Sequence, residues 1–575
     1  MQDFADLVIV NASVHTMDPA QPHRMTDAVA IKDGRISGLG HEDVSLSIGP
    51  DTQVVDAAGG AVIPGINDAH LHFVSAAMAA FGYVRLDPDV APDWATVVEV
   101  VAAAPVGEDG WVRAHGWDEA LLGPAGGYLL DCRPHTPVVA FDSTGHQLLA
   151  NAEALRRAGI TATTPDTEGG VIVRAADGSP IGLLQDGAME LVSRAMPPVP
   201  SATLRPALLH FQEHLHALGI TSLTEPGLGP ASAGLMDGAG STAALELLGD
   251  LAAAGELTLR INVLMLFAGT GGANAKAIDD GLRSGLAATY ANRGIEPGQL
   301  RIAGVKVFAD GIPRSGTAWM SEPYGAVCTH GRLVIQGASD GERVAELNRI
   351  LELIDDAGLQ AGVHATGDAA TAAAVEAISA ASKDPGGHST RGNRHYVIHG
   401  AFSDPGMLRT MASQGIGYST NPLIRHEAGD IMRQVLGEDR FSQHQPLQSA
   451  LEAGVHLNIA SDAPVTSPDW RRTVVAAVRR ATRSTPGNPR DPERISGLQA
   501  LTAMTLDAAW QDHAEHDKGS LIPGMTADLC LLSNPWPADE EIEKLLDTDV
   551  RLTLSGGRAV HRSTSWNHSL PFNHS

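Results

Sequence analysis

Eight short apolar, strand-like runs in the middle of the chain, separated by stretches of helical periodicity, constrain the fold more than any other feature. They are Ala61 to Asn67, Ile220 to Glu225, Leu259 to Leu266, Ile302 to Val307, Gln360 to His364, His395 to His399, Gly415 to Thr420 and His456 to Ala460. Between them lie helical patterns such as GERVAELNRILELIDDAG and ATAAAVEAISAAS. Strands alternating with helices imply parallel βα units, and eight such units imply an α/β fold built on a closed (β/α)8 TIM barrel. In that architecture active sites are built at the C-terminal ends of the strands.

The flanks read differently. ADLVIVNASVHTM, DAVAIKDGRISGLG with Asp33-Gly34 as a hairpin signal, and TQVVDAAGG are short strands with turns, and MTADLCLLSN and VRLTLSGGRAV near the other end share that texture. Residues 1–60 and 515–565 are therefore expected to combine into one small β-sandwich, with the barrel in 61–84 and 201–514. The stretch 85–200 is far longer than an ordinary crossover and is expected to be an inserted α+β subdomain over the barrel mouth.

Composition narrows the partners. Of 575 residues, 40 are Lys or Arg against 67 Asp or Glu, a net charge of −27 that repels polyanions. Nucleic acid and anionic membrane are disfavoured, and a small-molecule substrate is favoured. Cys132, Cys328 and Cys530 are odd in number and widely spaced, which argues against disulfides or a thiolate metal cluster and for a reducing compartment. The N-terminal MQDFADLVIVNASVHTM has neither a basic leader nor a long apolar run, so a cytoplasmic protein is expected, and STSWNHSLPFNHS reads as a loose tail. Aromatic content of 4 % gives no signature of an aromatic substrate. A closed assembly, most simply a homodimer, is expected.

With 24 histidines, about one His-x-His arises by chance, and the chain holds two. His214-Leu215-His216 lies in LRPALLHFQEHLHALGI, where Leu204, Leu208, Phe211, Leu215 and Leu218 recur at helical spacing, and is read as ordinary helix surface. His70-Leu71-His72 follows the first apolar run, where strand alternation brings two imidazoles to one side. His364, His399 and Asp462 stand at the ends of later strands, and the set reads as a metal site. His395 precedes His399 by four residues, too far along a strand to share a metal, and is read as structural.

The ordered motifs VIPGINDAHLHF, WVRAHGWDE, DSTGHQLLANAEAL, GVKVFADG, GVHATGDAA, HYVIHG, ASDAPV and GSLIPGMTADLCLLS resemble those of the amidohydrolase superfamily over most of the chain. Within it they are similar to the amidohydrolase-3 branch, which includes N-substituted formamide deformylases. The resemblance implies that His70 and His72 bind the more buried metal, that His364, His399 and Asp462 are the fifth-, sixth- and eighth-strand ligands, and that Lys306 is the lysine carboxylated in binuclear members. Two departures bear on substrate choice. Ile398 replaces the acidic residue common before the sixth-strand histidine, and Asp186 replaces the branch's usual Glu.

A mixed His/Asp shell suits a divalent cation, Zn²⁺ foremost, one per chain or two if Lys306 is carboxylated; the alternative is a buried lysine beside a single metal. The chemistry implied is metal-hydroxide attack on an amide-type C–N bond, an N-substituted formamide or other N-acyl amine, with Asp462 as general acid/base. Deamination, carbamate or ester hydrolysis are the alternatives, and a non-catalytic scaffold of the same fold is the remaining one. His146 is a candidate substrate donor or oxyanion stabiliser, or else a surface histidine. Asp118 contacts substrate or caps a helix, and Asp310 and Arg314 contact substrate or form a structural ion pair.

Overall fold

Strands of a parallel barrel are covered on both faces, which demands near-continuous apolar runs. Ile261, Val263, Val305, Val307, Val363 and Val397 meet that demand, all of them buried. The computed structural model describes residues 4–21, 24–129, 131–167, 169–232, 242–325, 329–382, 392–564 and 566. Cys328 and most of the C-terminal tail lie outside the described residues; Cys132 and Cys530 are buried free thiols.

The barrel sheet runs in chain order through Ile66–Asp68, Ile220–Leu228, Arg260–Met265, Leu300–Phe308, Gln360–Ala365, Tyr396–His399, Gly417–Thr420 and Leu457–Ile459. Each strand is parallel to the next. The seam between first and eighth strands is drawn together by their C-terminal loops. The Asp462 N–H donates to the His70 carbonyl (2.8 Å), the His72 N–H to the Ala463 carbonyl (2.9 Å), and the Ser461 N–H to Asp68 Oδ1 (3.2 Å).

Helices jacket the barrel by burying one stripe each. Asp340–Asp356 begins where the Ser339 side chain accepts from the Glu342 N–H, and it buries Leu347, Ile350, Leu351 and Ile354 at i, i+3, i+4 and i+7. Ser201–Ala217 buries Leu204, Leu208, Phe211 and Leu215. His216 departs from the expected helix surface. It is 2 % exposed, with Nδ1 3.0 Å from the Ile220 carbonyl and Nε2 2.8 Å from Thr258 Oγ1, because the sandwich covers that end of the helix and Thr553 Oγ1 donates to the His216 carbonyl. His210 and His214 are exposed.

Both ends of the chain meet in one β-sandwich. Its six-stranded sheet has the order Arg558–Arg562, Val550–Ser555, Leu529–Leu532, Ala61–Pro64, Ser13–His15, Met25–Thr26. The four-stranded sheet has Arg35–Leu39, Val29–Lys32, Leu7–Val10 and Gln53–Asp56. Between them Ile9, Ile31, Leu529 and Leu552 form a shared core. Asp33 and Gly34, at φ 48° and 74°, make the two-residue hairpin turn.

The run Ala61 to Asn67 is not one barrel strand. Ala61–Pro64 pairs in the sandwich with Leu529–Leu532 and Ser13–His15, and only Ile66–Asp68 enters the barrel. The break is at Gly65, whose N–H donates to the Asp528 carbonyl (2.9 Å) and where a Cβ would overlap the Thr221 side chain. The insertion forms a six-stranded mixed sheet ordered Gly170–Arg174, Pro180–Asp186, Gln147–Ala150, Val138–Asp142, Val112–Trp117, Val84–Arg85. Among the described residues no helix is long and apolar enough to cross a membrane.

Because Gly65 abuts a stiff β-branched neighbour, Gly65→Ala is expected to cost about 1–3 kcal/mol in urea unfolding. A variant as stable as the parent contradicts the close packing at this junction.

Candidate metal centre

His70 and His72 lie just past the first barrel strand, in the turn leading into helix Phe73–Ala77, rather than within the strand. Their convergence therefore comes from tethering, not from strand alternation. The Leu71 N–H donates to the Thr224 carbonyl (3.0 Å), and the seam bonds to Asp462 and Ala463 hold the residues on either side. The rings meet edge to face at 5.3 Å between centroids. Asp462, in the loop after the eighth strand with φ 59°, brings Oδ1 to 3.2 Å from His70 Nε2 and 3.5 Å from His72 Nε2.

His364 is the last residue but one of the fifth strand and His399 the last of the sixth, with ring centroids 4.6 Å apart; His70 and His399 are 5.5 Å apart. His364 Nε2 is 3.2 Å from the Gly311 carbonyl, to which it donates, leaving Nδ1 as the ligating atom. His399 Nδ1 donates to Asn421 Oδ1 (2.7 Å), and Asn421 Nδ2 donates to the Ala460 carbonyl (3.1 Å), so the amide orientation is set and Nε2 remains for a ligand. Burial holds His70 and His364 well below 6.5 and brings His399 to about 4. The neutral ring is the form that ligates metal.

Lys306, on the fourth strand, is fully buried with Nζ 4.7 Å from the Phe308 ring centroid. Burial brings its ammonium down to about 7, against the pull of Asp462 and Glu225. All these side chains line one cavity, together with Asp310 and with His146 and Asp186 from the insertion.

The donor set fits a divalent cation. His70 Nδ1 is buried without a hydrogen-bond partner, and the polar neighbour of its Nε2 is the Asp462 carboxylate, an acceptor that a metal would share with the ring. Donor atoms of His70, His72 and Asp462 all lie within 4.8 Å of one another. Tetrahedral Zn²⁺ with bonds of about 2.0–2.1 Å spaces its ligands by about 3.3 Å, close to the separations at Asp462 Oδ1.

Other expected residues are placed more variously. His146 faces the cavity, its Nδ1 2.7 Å from Asp186 Oδ1, and is not a surface histidine. Burial lowers the imidazole's pKa, but Asp186 outweighs it and leaves the ring raised above 6.5. Asp310, expected to meet substrate or to form an ion pair, lines the cavity and accepts backbone N–H bonds from Trp319 (2.9 Å), Thr366 (2.9 Å) and Gly367 (2.8 Å), so its lone pairs anchor the loop beside His364. Asp118 and Arg314 approach each other at 3.5 Å along an outer cleft, an ion pair between insertion and barrel. His395 is structural as expected, with Nε2 2.8 Å from Asp355 Oδ1.

Two site residues escaped the sequence reading. Glu225, on the second barrel strand and 1 % exposed, accepts from the Val74 N–H (3.0 Å) and places Oε1 3.9 Å from His72 Nδ1. Asn421 orients His399. Both stand at or just past expected strand ends, the position rule that found the histidines.

Comparison with known proteins gives the family and the fold. The chain is 29 % identical to Protein LONG AFTER FAR-RED 3 of Arabidopsis thaliana over 97 % of its own length and 92 % of that protein's. It is 27 % identical to the N-substituted formamide deformylase of Arthrobacter pascens over 97 % and 98 % of the two chains. Its fold is similar to the crystal structure of an uncharacterized metal-dependent hydrolase from Pyrococcus horikoshii OT3, with TM-score 0.69 and 21 % identity over 93 % of this chain and 99 % of that one. Residues 53–561 match the Amidohydrolase family (Amidohydro_3), and the chain belongs to that family.

Proposed function

We propose that this chain hydrolyses an amide-type C–N bond, in an N-substituted formamide or another N-acyl amine, with a divalent metal held by His70, His72 and Asp462 and by His364 and His399 beside them. The observation that carries this reading is the convergence of buried, neutral imidazoles on a carboxylate at the floor of one cavity. The likeness to a formamide deformylase supports the substrate class. When bound, the cation supplies Lewis acidity, polarising a carbonyl and acidifying water.

The chain's own residues do the rest. Asp462 takes the proton of the attacking water and delivers it to the leaving nitrogen, so that the amide and water become an acid and an amine. His146, held by Asp186 through Nδ1, directs its other ring nitrogen into the cavity and donates to the carbonyl oxygen as negative charge develops there. Asn421 keeps His399 in the tautomer that ligates. Lys306, if carboxylated, would offer an anionic oxygen donor to bound metal; the burial that brings its ammonium down to about 7 supports that modification.

Amine release from a panel of N-formyl and N-acyl amines tests the reaction, and no amine from any member overturns it. Asp186→Asn removes the charge that raises the His146 pKa. It is expected to lower kcat at neutral pH by about 10²- to 10³-fold and to move the alkaline limb of the kcat/KM profile to lower pH, because the His146 pKa then falls. An unchanged profile contradicts the dyad.

A further inference from the structure

Three hollows meet at Thr144 and Val465, which line all of them: the metal cavity, a hollow of about 100 Å³, and an outer cleft of about 600 Å³ between the insertion and the barrel. The smaller hollow adjoins the donors, since His146, His364, His399 and Asp462 line it as well as the metal cavity. Its apolar wall comes from Ile312 and Pro313, in the loop after the fourth strand, and from Ile424, Ala428 and Met432 on helix Pro422–Leu436. Arg314, in the turn Pro313–Ser315 that packs on this helix, lines both the hollow and the cleft.

Arg314 is held in place but not saturated. The Thr317 hydroxyl accepts from the Ile312 N–H (3.0 Å), and the Thr317 N–H donates to the Ile312 carbonyl (3.2 Å), which closes the loop that carries the arginine. Its side chain is 10 % exposed. Among the described residues its one hydrogen-bond or ion-pair partner is Asp118, with Nη2 3.5 Å from Oδ1, at the outer limit of a hydrogen bond. The Asp142 carboxylate also feels Arg314, but its oxygens already accept from the Thr144 hydroxyl and from the Gln147 N–H (3.0 Å). Arg314 Nε and Nη1 are therefore left for another acceptor, and a guanidinium so nearly buried gains most from a forked one. Further out, Arg472 Nη2 and Arg483 Nε share the single carboxylate of Glu427 (2.6 and 2.7 Å). The barrel wall of the cleft thus carries an excess of positive charge in a chain of net charge −27, which draws an anion to this mouth.

We propose that the substrate is an N-acyl amino acid whose carboxylate pairs with Arg314 and whose aliphatic side chain fills the smaller hollow. The proposal rests on the reading of the site as an N-acyl amine hydrolase: water adds across the C–N bond and gives a carboxylic acid and the free amino acid. A guanidinium and an apolar wall on one hollow call for an anion and a hydrocarbon group on the same small molecule. The guanidinium fork matches both oxygens of a carboxylate, whereas a carboxamide meets it with one oxygen and an ammonium with none. At about 100 Å³ the hollow is smaller than the cavity of about 150 Å³ that accepts benzene, so it suits a branched aliphatic group rather than an aromatic ring.

The test uses the zinc-loaded full chain and non-hydrolysable N-methanesulfonyl amino acids, the better-binding enantiomer of each being compared by calorimetry. The leucine ligand is expected to bind at least about tenfold more tightly than its own carboxamide, and by a similar factor of about ten more tightly than the glycine ligand, which lacks the side chain. The phenylalanine ligand is expected to bind less tightly than the leucine one. Arg314→Gln brings the acid-to-carboxamide ratio toward one and Arg314→Lys keeps part of it. Asp118→Asn, which breaks the ion pair from the other side, keeps the ratio whole. With the matched N-formyl amino acids the preference appears in KM rather than kcat. Equal binding of acid and carboxamide, no binding at all, or a phenylalanine ligand as tight as the leucine one overturns the proposal. So does a preference that survives Arg314→Gln, as when the carboxylate sits on the metal, or one that Asp118→Asn abolishes equally, which makes the pair structural. Selective binding without turnover of any N-acyl amino acid upholds the carboxylate site and removes the hydrolase reading instead.

Discussion

The two hydrogen bonds that lock the loop around His70 to the loop around Asp462 set both the shape of the barrel and the chemistry at its mouth. They join the first and eighth strands across the seam, and they are also what brings His70, His72 and Asp462 within reach of one another. Barrel closure and donor placement are thus a single structural event. A residue with φ 59° at Asp462 is costly for a non-glycine, and it persists because the seam over-determines it.

The same geometry explains how so polar a floor stays buried. Isolated charges there would be prohibitively desolvated, and burial answers by keeping the imidazoles neutral and bringing the lysine down to about 7. Around the donors stands a ring of orienting bonds: Asn421 on His399, the Gly311 carbonyl on His364, and Asp310 on the loop next to His364. These bonds leave single nitrogens on His364 and His399 directed at the cavity, which is the preorganisation a metal centre needs.

Much of this was legible in the sequence because the barrel strands are buried on both faces and announce themselves as apolar runs, and because each histidine followed one. The first run misled for a reason invisible in one dimension. Its apolar character is continuous, and only the close approach of Thr221 to Gly65 divides it between sandwich and barrel. Glu225 and Asn421 carried no spacing signal, being lone residues whose roles depend on neighbours from other strands. Asp118 with Arg314, and Asp186 with His146, join segments far apart in the chain, so that their pairing emerges only once the insertion lies on the barrel. His216 was misjudged because helical periodicity reports the face turned to the barrel and not the end covered by the sandwich.

The most direct measurement is anomalous scattering at the zinc edge from crystals of the zinc-loaded protein. The donor geometry predicts a peak about 2.0–2.2 Å from His70 Nε2, His72 Nε2 and an Asp462 carboxylate oxygen, with a second peak near His364 and His399 if Lys306 is carboxylated. No peak at the first position, with the fold intact, would contradict a metal centre built on the barrel seam.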